Sequence, residues 1–134
     1  MSKVYEAGGI VVRRDLGEPH YLLVTAKKNP HHWIFPKGHI EADESGGEAA
    51  VREVQEEAGV EGKALARIGS LEFPYEGQTV HVDYYLVQYL STAESTEGRE
   101  LRWCGYDEAM RLLSFENTRE LLCAAHLHVR DRIR

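Results

Sequence analysis

The chain has 134 residues, 43% hydrophobic and 28% charged, which fits one globular domain over residues 1–134 rather than a disordered chain. With 22 acidic residues against 16 Lys and Arg, its net charge of −6 argues against a broad basic face for nucleic acid. No apolar run approaches the roughly 20 residues of a membrane span, the first residues lack an apolar leader, and the only cysteines are Cys104 and Cys123. That excludes a disulfide scaffold and a Cys-rich zinc site, and the expected location is the reducing cytoplasm.

The segment from Val4 to Arg14 reads as a strand interrupted by Gly8-Gly9, and Asp15–Pro19 as a turn. Tyr21–Ala26 is a short apolar run suited to a buried strand. Asn29–Gly38, with Pro30 and Pro36, reads as a loop. Ser45–Ala58 has a helical pattern that Gly59 ends. Strands are expected over Ala64–Phe73 and Val80–Leu90, joined by a turn at Glu76-Gly77-Gln78. Ser91–Gly98 is a polar loop and Glu100–Gly105 a last strand. Asp107 is placed to cap a short helix, Glu108–Leu113. Asn117 and Glu120 have capping-box spacing for a final helix to about Arg130. Strands first, one helix between them and helices at the end describe an α/β fold, a mixed sheet with helices on its faces.

The acidic excess concentrates between Glu41 and Glu61, where Arg52 is the sole basic residue. Glu53, Glu56 and Glu57 stand at i, i+3 and i+4, on one helix face. Val51, Val54 and Ala58 fall on another, suited to packing on the sheet. Like charges at that spacing repel. Two readings follow: a solvated acidic face, or carboxylates gathered for a divalent cation, whose oxygen ligands would suit Mg²⁺ or Mn²⁺ rather than zinc.

The wider spacing separates them. Gly38 is followed after five residues by Glu44, then after seven by Arg52-Glu53-Val54-Gln55-Glu56-Glu57-Ala58-Gly59-Val60. This resembles the Nudix box, G-x5-E-x7-R-E-U-x-E-E-x-G-U with U a bulky aliphatic, at all nine defined positions. The resemblance implies an α/β/α sandwich on a mixed sheet and a hydrolase that cleaves a diphosphate linked to another group. It implies that Glu53, Glu56 and Glu57 hold Mg²⁺ with help from the Gly38 carbonyl. Arg52 and Glu44 would be supports that orient the carboxylates. The metal would neutralise diphosphate charge and activate water, which an acidic protein needs against a polyanionic substrate.

The flanks narrow the branch. His31-His32-Trp33-Ile34-Phe35-Pro36-Lys37-Gly38-His39 resembles the P-K-G-H signature of the diadenosine tetraphosphate hydrolases. Arg102–Ala109 and Leu113-Ser114-Phe115 resemble their C-terminal pattern more loosely. By that resemblance Lys37 contacts the polyphosphate, and His32 and His39 lie beside the reacting phosphate. Glu97 sits six residues before Trp103, where those hydrolases place a glutamate acting as base or metal ligand; Glu100 competes with it, and Glu94 less strongly. Tyr75 and Phe115 match aromatic residues that stack on an adenine, although Phe115 also fits a core position. His126 and His128 read as ordinary surface or packing residues, and Cys104 and Cys123 as packing positions without catalytic part. One departure stands out: the turn Tyr75-Glu76-Gly77-Gln78-Thr79 lacks the lysines that eukaryotic members carry there. The expected substrates are diadenosine polyphosphates. Alternatives are diphosphoinositol phosphates, modified or ordinary nucleoside triphosphates and capped RNA ends, or a non-catalytic nucleotide-sensing role.

Overall fold

The computed structural model describes residues 2–132, and within them seven strands form one sheet flanked by three helices. The elements are β1 (Lys3–Arg13), β2 (His20–Thr25), β3 (Trp33–Ile34), β4 (Lys37–His39), α1 (Gly46–Ala58), β5 (Val60–Tyr75), β6 (Gln78–Thr92), β7 (Leu101–Gly105), α2 (Tyr106–Leu112) and α3 (Glu116–Arg132). The strand order is β3-β2-β1-β6-β5, with β4 also on β1 and β7 also on β2. The β1–β6 pair is parallel and the others are antiparallel, so the sheet is mixed. No helix among the described residues is long and apolar enough to cross a membrane.

Alternation on the central strands explains the layers. Val11, Leu22, Val24 and Val87 face α1 and pack on Val54 and Ala58. Ile10, Val12, Tyr21, Leu23 and Leu86 point the other way, onto Ala109 of α2 and Leu122, Ala125 and Val129 of α3. Both faces of β1 and β2 are therefore dry, which is why their sequences read as continuous apolar runs. Each fully buried aliphatic there contributes about 1.5–3 kcal/mol.

The structure departs from the sequence expectations in places. The loop before the box contains two short strands, β3 and β4, whose two and three residues are too few to show a period. β5 and β6 are longer than expected because backbone pairing continues at both ends beyond the apolar pattern, from Val60 opposite Thr92 to Tyr75 opposite Gln78, with register shifts at Glu61/Gly62, Ala64/Ala66 and Arg67/Gly69 along the way. Helix α2 begins at Tyr106 with Gly105 as its N-cap, so Asp107 lies inside the first turn. Helix α3 begins at Glu116, which puts Asn117 inside it; the Arg119 N–H donates to the Phe115 carbonyl and starts the ladder. Cys104 is buried as expected, whereas Cys123 is exposed on the outer side of α3.

Helix α1 has the strongest end signals. Ser45 and Glu48 form a reciprocal capping box at its start. At its end Gly59 adopts φ +65°, and its N–H donates to the Gln55 carbonyl. The last carbonyls are then taken by the loop after β6. Ser95 Oγ donates to the Glu56 and Glu57 carbonyls, and the Thr96 N–H and Oγ1 both donate to that of Glu56. The Ala93 N–H donates to the Gly59 carbonyl. A Cβ on Gly59 would come within 2.7 Å of the Ala93 carbonyl oxygen and the Ser95 nitrogen.

Gly59→Ala is therefore expected to destabilise the protein by at least the ~1–2 kcal/mol that left-handed backbone costs a side chain, with added strain from the strapped loop. Urea unfolding midpoints measure this, and an unchanged midpoint would contradict the strapping.

Candidate functional site

Of the expected site residues, Lys37, Gly38, Glu53, Glu57 and Glu97 lie where β4, α1 and the loop after β6 meet. Strand β4 lies antiparallel on β1, with Glu6 opposite His39 and Gly8 opposite Lys37. This pairing sets the Lys37 N–H against Glu57, donating to Oε2 at 2.9 Å. It also brings Gly38 against Glu53: a Cβ on Gly38 would fall 2.3 Å from the Glu53 carboxylate. Only glycine leaves that carboxylate its position.

The helix face differs from the expectation at one residue. Glu57 is 1% exposed and belongs to the buried stripe with Ala50, Val54 and Ala58, while Val51 is only half-buried. Position 57 lies about 60° around the helix from 54 and 40° from 53, so it shares both faces.

The repulsion expected of the acidic face is answered by two arginines. Arg52 makes a two-pronged contact with Glu44, Nε to Oε2 at 2.7 Å and Nη2 to Oε1 at 3.0 Å. Its Nη1 donates to Glu53 at 2.8 Å and to both Glu56 oxygens at 3.1 Å, and its Nη2 to the His39 carbonyl. Arg52 holds the Glu44 carboxyl below the usual range, aided by the Glu41 N–H. Glu57 has a different partner: Arg99, whose Nη1 lies 2.8 Å from Oε1. The same guanidinium contacts Glu97 Oε1 at 2.9 Å through Nη2. Glu97 is thereby joined to the carboxylate helix through Arg99. Glu100 instead fixes its backbone to Thr25 at the end of β2, and its side chain is exposed.

Burial pushes the Glu57 carboxyl well above its ordinary value, and the neighbouring Glu53 pushes the same way, while Arg99 pulls it down without winning. Because the native state then holds this proton more tightly than the unfolded chain, the linked stability is present at acid pH. It is lost as pH rises from the ordinary carboxyl range through the raised value.

Lys37 is bonded to Glu57 through its backbone N–H, while its side chain meets Glu6 and Phe73. Lys37 Nζ bonds Glu6 Oε1 at 2.7 Å and lies 5.6 Å from the Phe73 ring centre. His39 is exposed, its Nε2 3.5 Å from the other Glu6 oxygen. Tyr75, two residues beyond Phe73 on the same side of β5, is 41% exposed and carries Lys28 Nζ 4.6 Å from its ring centre. The turn has no lysine of its own, yet Lys28 reaches it through space and also pairs with Glu76 at 3.4 Å. The loop that carries Lys28 also carries His32, whose ring meets Phe115 edge-on at 5.0 Å. Phe115 is 43% exposed, so the core reading of that residue is wrong. His126 is a packing residue, stacked on Tyr106 and bonded to the Tyr21 hydroxyl.

Glu6, Lys28 and Arg99 were not legible as site residues. Glu6 had one signal: an acid whose alternation places it on the strand face that buries Ile10. A concavity of about 400 Å³ beside Arg13, Tyr89 and Leu90 contains none of the expected site residues.

The donor chemistry fits a hard divalent cation. Glu53, Glu56, Glu57 and the Gly38 carbonyl offer oxygen alone, and Gly38 leaves a cradle against Glu53. Among the described residues no three acidic, His or Cys side chains converge into a complete ligand set; the carboxylates are paired with Arg52 and Arg99.

The profile of the family described as NUDIX domain matches residues 5–125. The chain is 31% identical over 127 residues to a bis(5'-nucleosyl)-tetraphosphatase (asymmetrical) of Caenorhabditis elegans, covering 89% of this chain and 92% of that protein. It is 36% identical over 105 residues to diphosphoinositol polyphosphate phosphohydrolase 2 of Mus musculus, covering 75% of this chain and 58% of that one. Among solved structures, a C. elegans Ap4A hydrolase binary complex superposes with a TM-score of 0.82 at 26% identity, over 96% of this chain and 98% of that chain.

In EDTA, Glu57→Gln is expected to become steadily more stable relative to wild type as pH rises from about 5 to about 9, since the amide carries no charging cost. Thermal melts across that range test the sign. Parallel curves for the two proteins would show that Glu57 is not the buried titrating group.

Proposed function

The chain belongs to the Nudix family, and from that premise we propose that it is a Mg²⁺-dependent pyrophosphohydrolase acting on dinucleoside polyphosphates, with Mn²⁺ able to replace Mg²⁺. The observation that carries this reading is the grouping of buried Glu57, Lys37 and the exposed ring of Tyr75. It links the carboxylate helix through the Lys37 backbone to a cation suited to phosphate, with the exposed Tyr75 ring two residues beyond Phe73 on the same strand. The names of the C. elegans relatives, a tetraphosphatase and an Ap4A hydrolase, support the substrate class.

In this reading Glu53, Glu56 and Glu57, with the Gly38 carbonyl, hold the metal. Bound there, the metal supplies charge neutralisation on the diphosphate and acidifies a water. Arg52 and Glu44 keep Glu53 and Glu56 aimed at the cradle. Lys37 binds the polyphosphate, and Glu6 holds its Nζ in place. His39 and His32 flank the reacting phosphate. Glu97, joined to Glu57 through Arg99, is better placed than Glu100 to take the proton of the attacking water. Tyr75 and Phe115 stack on the bases, each such contact being worth ~1–3 kcal/mol. The site residues lie within one domain spanning the chain, and a cytoplasmic location fits such a substrate.

A second reading, hydrolysis of diphosphoinositol phosphates, is favoured by Lys28 standing at Tyr75. A cation there serves a dense cluster of phosphates as well as it serves a chain. The Mus musculus relative carries that activity in its name.

Phosphate release with and without Mg²⁺ across a panel of diadenosine polyphosphates, nucleoside triphosphates and a diphosphoinositol phosphate, with products identified by mass, separates the readings. Glu53→Gln is expected to cut turnover by orders of magnitude with the fold intact, because it removes a metal-binding charge at constant shape. Tyr75→Ala is expected to raise KM for a dinucleoside polyphosphate roughly tenfold with a smaller effect on kcat. Wild-type kinetics for Glu53→Gln would remove the metal-ligand assignment. An unchanged KM for both Tyr75→Ala and Phe115→Ala would move the diphosphoinositol reading ahead.

A further inference from the structure

Two arginines neutralise the carboxylate helix, and they are anchored differently. Arg52 has a home of its own: both oxygens of Glu44 and the His39 carbonyl hold it whether or not Glu53 and Glu56 do. Arg99 has almost none. Its guanidinium contacts Glu57 Oε1 at 2.8 Å, Glu97 Oε1 at 2.9 Å and 3.0 Å, and otherwise only the Thr25 carbonyl at a long 3.4 Å. Its mount is firm, because Ser95 and Thr96 strap the preceding loop to α1 and the Glu100 backbone is bonded to Thr25 on the other side. The side chain, 14% exposed at the end of a flexible stem, is the movable part.

Glu57 Oε2 already accepts from the Lys37 N–H, and Oε1 is the atom Arg99 contacts, so a cation that takes Oε1 must displace Arg99. A buried carboxylate without a partner is costly, which explains why the chain supplies one. A tethered guanidinium and a free divalent ion then compete for the same atom. The affinity observed for the ion is its intrinsic affinity multiplied by the fraction of time that Oε1 is free.

We propose that Arg99 is a tethered counter-ion that occupies Glu57 Oε1 until a divalent cation takes it, and then transfers wholly to Glu97. Arg99 thereby sets the affinity of the site for the cation. This rests on the hydrolase reading, in which Glu57 is a metal ligand. Arg99 is a positioning residue: it needs no contact with substrate. The transfer also fixes Glu97 through a fully committed ion pair once the cation is in place.

The test compares Mn²⁺ binding by calorimetry to wild type, Arg99→Gln and Arg99→Lys at several pH values, after EDTA treatment and without substrate, with the protons released on binding counted so that the affinities compared are those of deprotonated Glu57. Removal of a competitor that holds Oε1 most of the time is expected to tighten Mn²⁺ binding about fivefold or more in Arg99→Gln, with Arg99→Lys between it and wild type. In wild type the Arg99 Nε–H NMR signal, assigned by its loss in Arg99→Lys, is expected to shift on saturation with Mg²⁺. Equal or weaker Mn²⁺ binding by a folded Arg99→Gln overturns the proposal, and so does an Arg99 signal that does not move. If Arg99→Gln fails to fold, the NMR measurement on wild type decides alone. Wild type that binds no Mn²⁺ at all removes the hydrolase reading and this inference together, whereas wild-type binding with the wrong variant order removes only the inference.

Discussion

Glu57 lies on the stripe of α1 that packs against the sheet, and a carboxylate is tolerated there only when both of its oxygens are engaged. Strand β4 supplies the Lys37 N–H to one oxygen, and the loop after β6 supplies Arg99 to the other. Three segments far apart in the chain are thus registered on a single side chain. Had position 57 been an ordinary aliphatic, α1 would dock on the sheet as well or better. β4 would keep its pairing with β1 and the Arg99 loop its bonds to the end of α1, but both would lose their polar contact with the helix at this position.

The same economy governs the end of α1. A helix leaves its last carbonyls without partners, and here Ser95 and Thr96 satisfy them. The groups that cap the helix are the groups that bring Glu97 and Arg99 to its carboxylates. Capping and site assembly are one set of hydrogen bonds. Gly59 is the hinge that permits both, since its left-handed backbone turns the chain into β5 while leaving room for the returning loop.

The layout was largely legible in the sequence because it depends on signals that act locally. Central strands buried on both faces gave continuous apolar runs, and Ser45 and Gly59 marked the ends of α1. The box spacing placed Gly38 and the glutamates correctly near one another. Contacts made through space were not legible. Arg99 looked like any charge in a polar loop, and Lys28 lies 48 residues before the glutamate it pairs with. The helical wheel put Glu57 with its acidic neighbours, although its angle suits the buried stripe equally, and only docking on the sheet decides between them. The misplaced caps at Asp107 and Asn117 have a similar origin. Asn and Asp are also accepted within a first turn, and here Gly105 and the Phe115 carbonyl open the helices instead.

The parallel pairing of β1 with β6 has a consequence for how the molecule comes to exist. Lys3 pairs with Thr79 and Val12 with Gln88, partners 76 residues apart. Closing so long a loop costs entropy before any pairing rewards it, so contacts of this kind slow folding toward the millisecond-to-second range typical of non-local topologies. During synthesis from the N-terminus, β1 must wait unpaired on that edge until β6 has emerged. Its apolar residues stay open to other chains for that interval, and early protection would fall to the antiparallel partners β2 and β4.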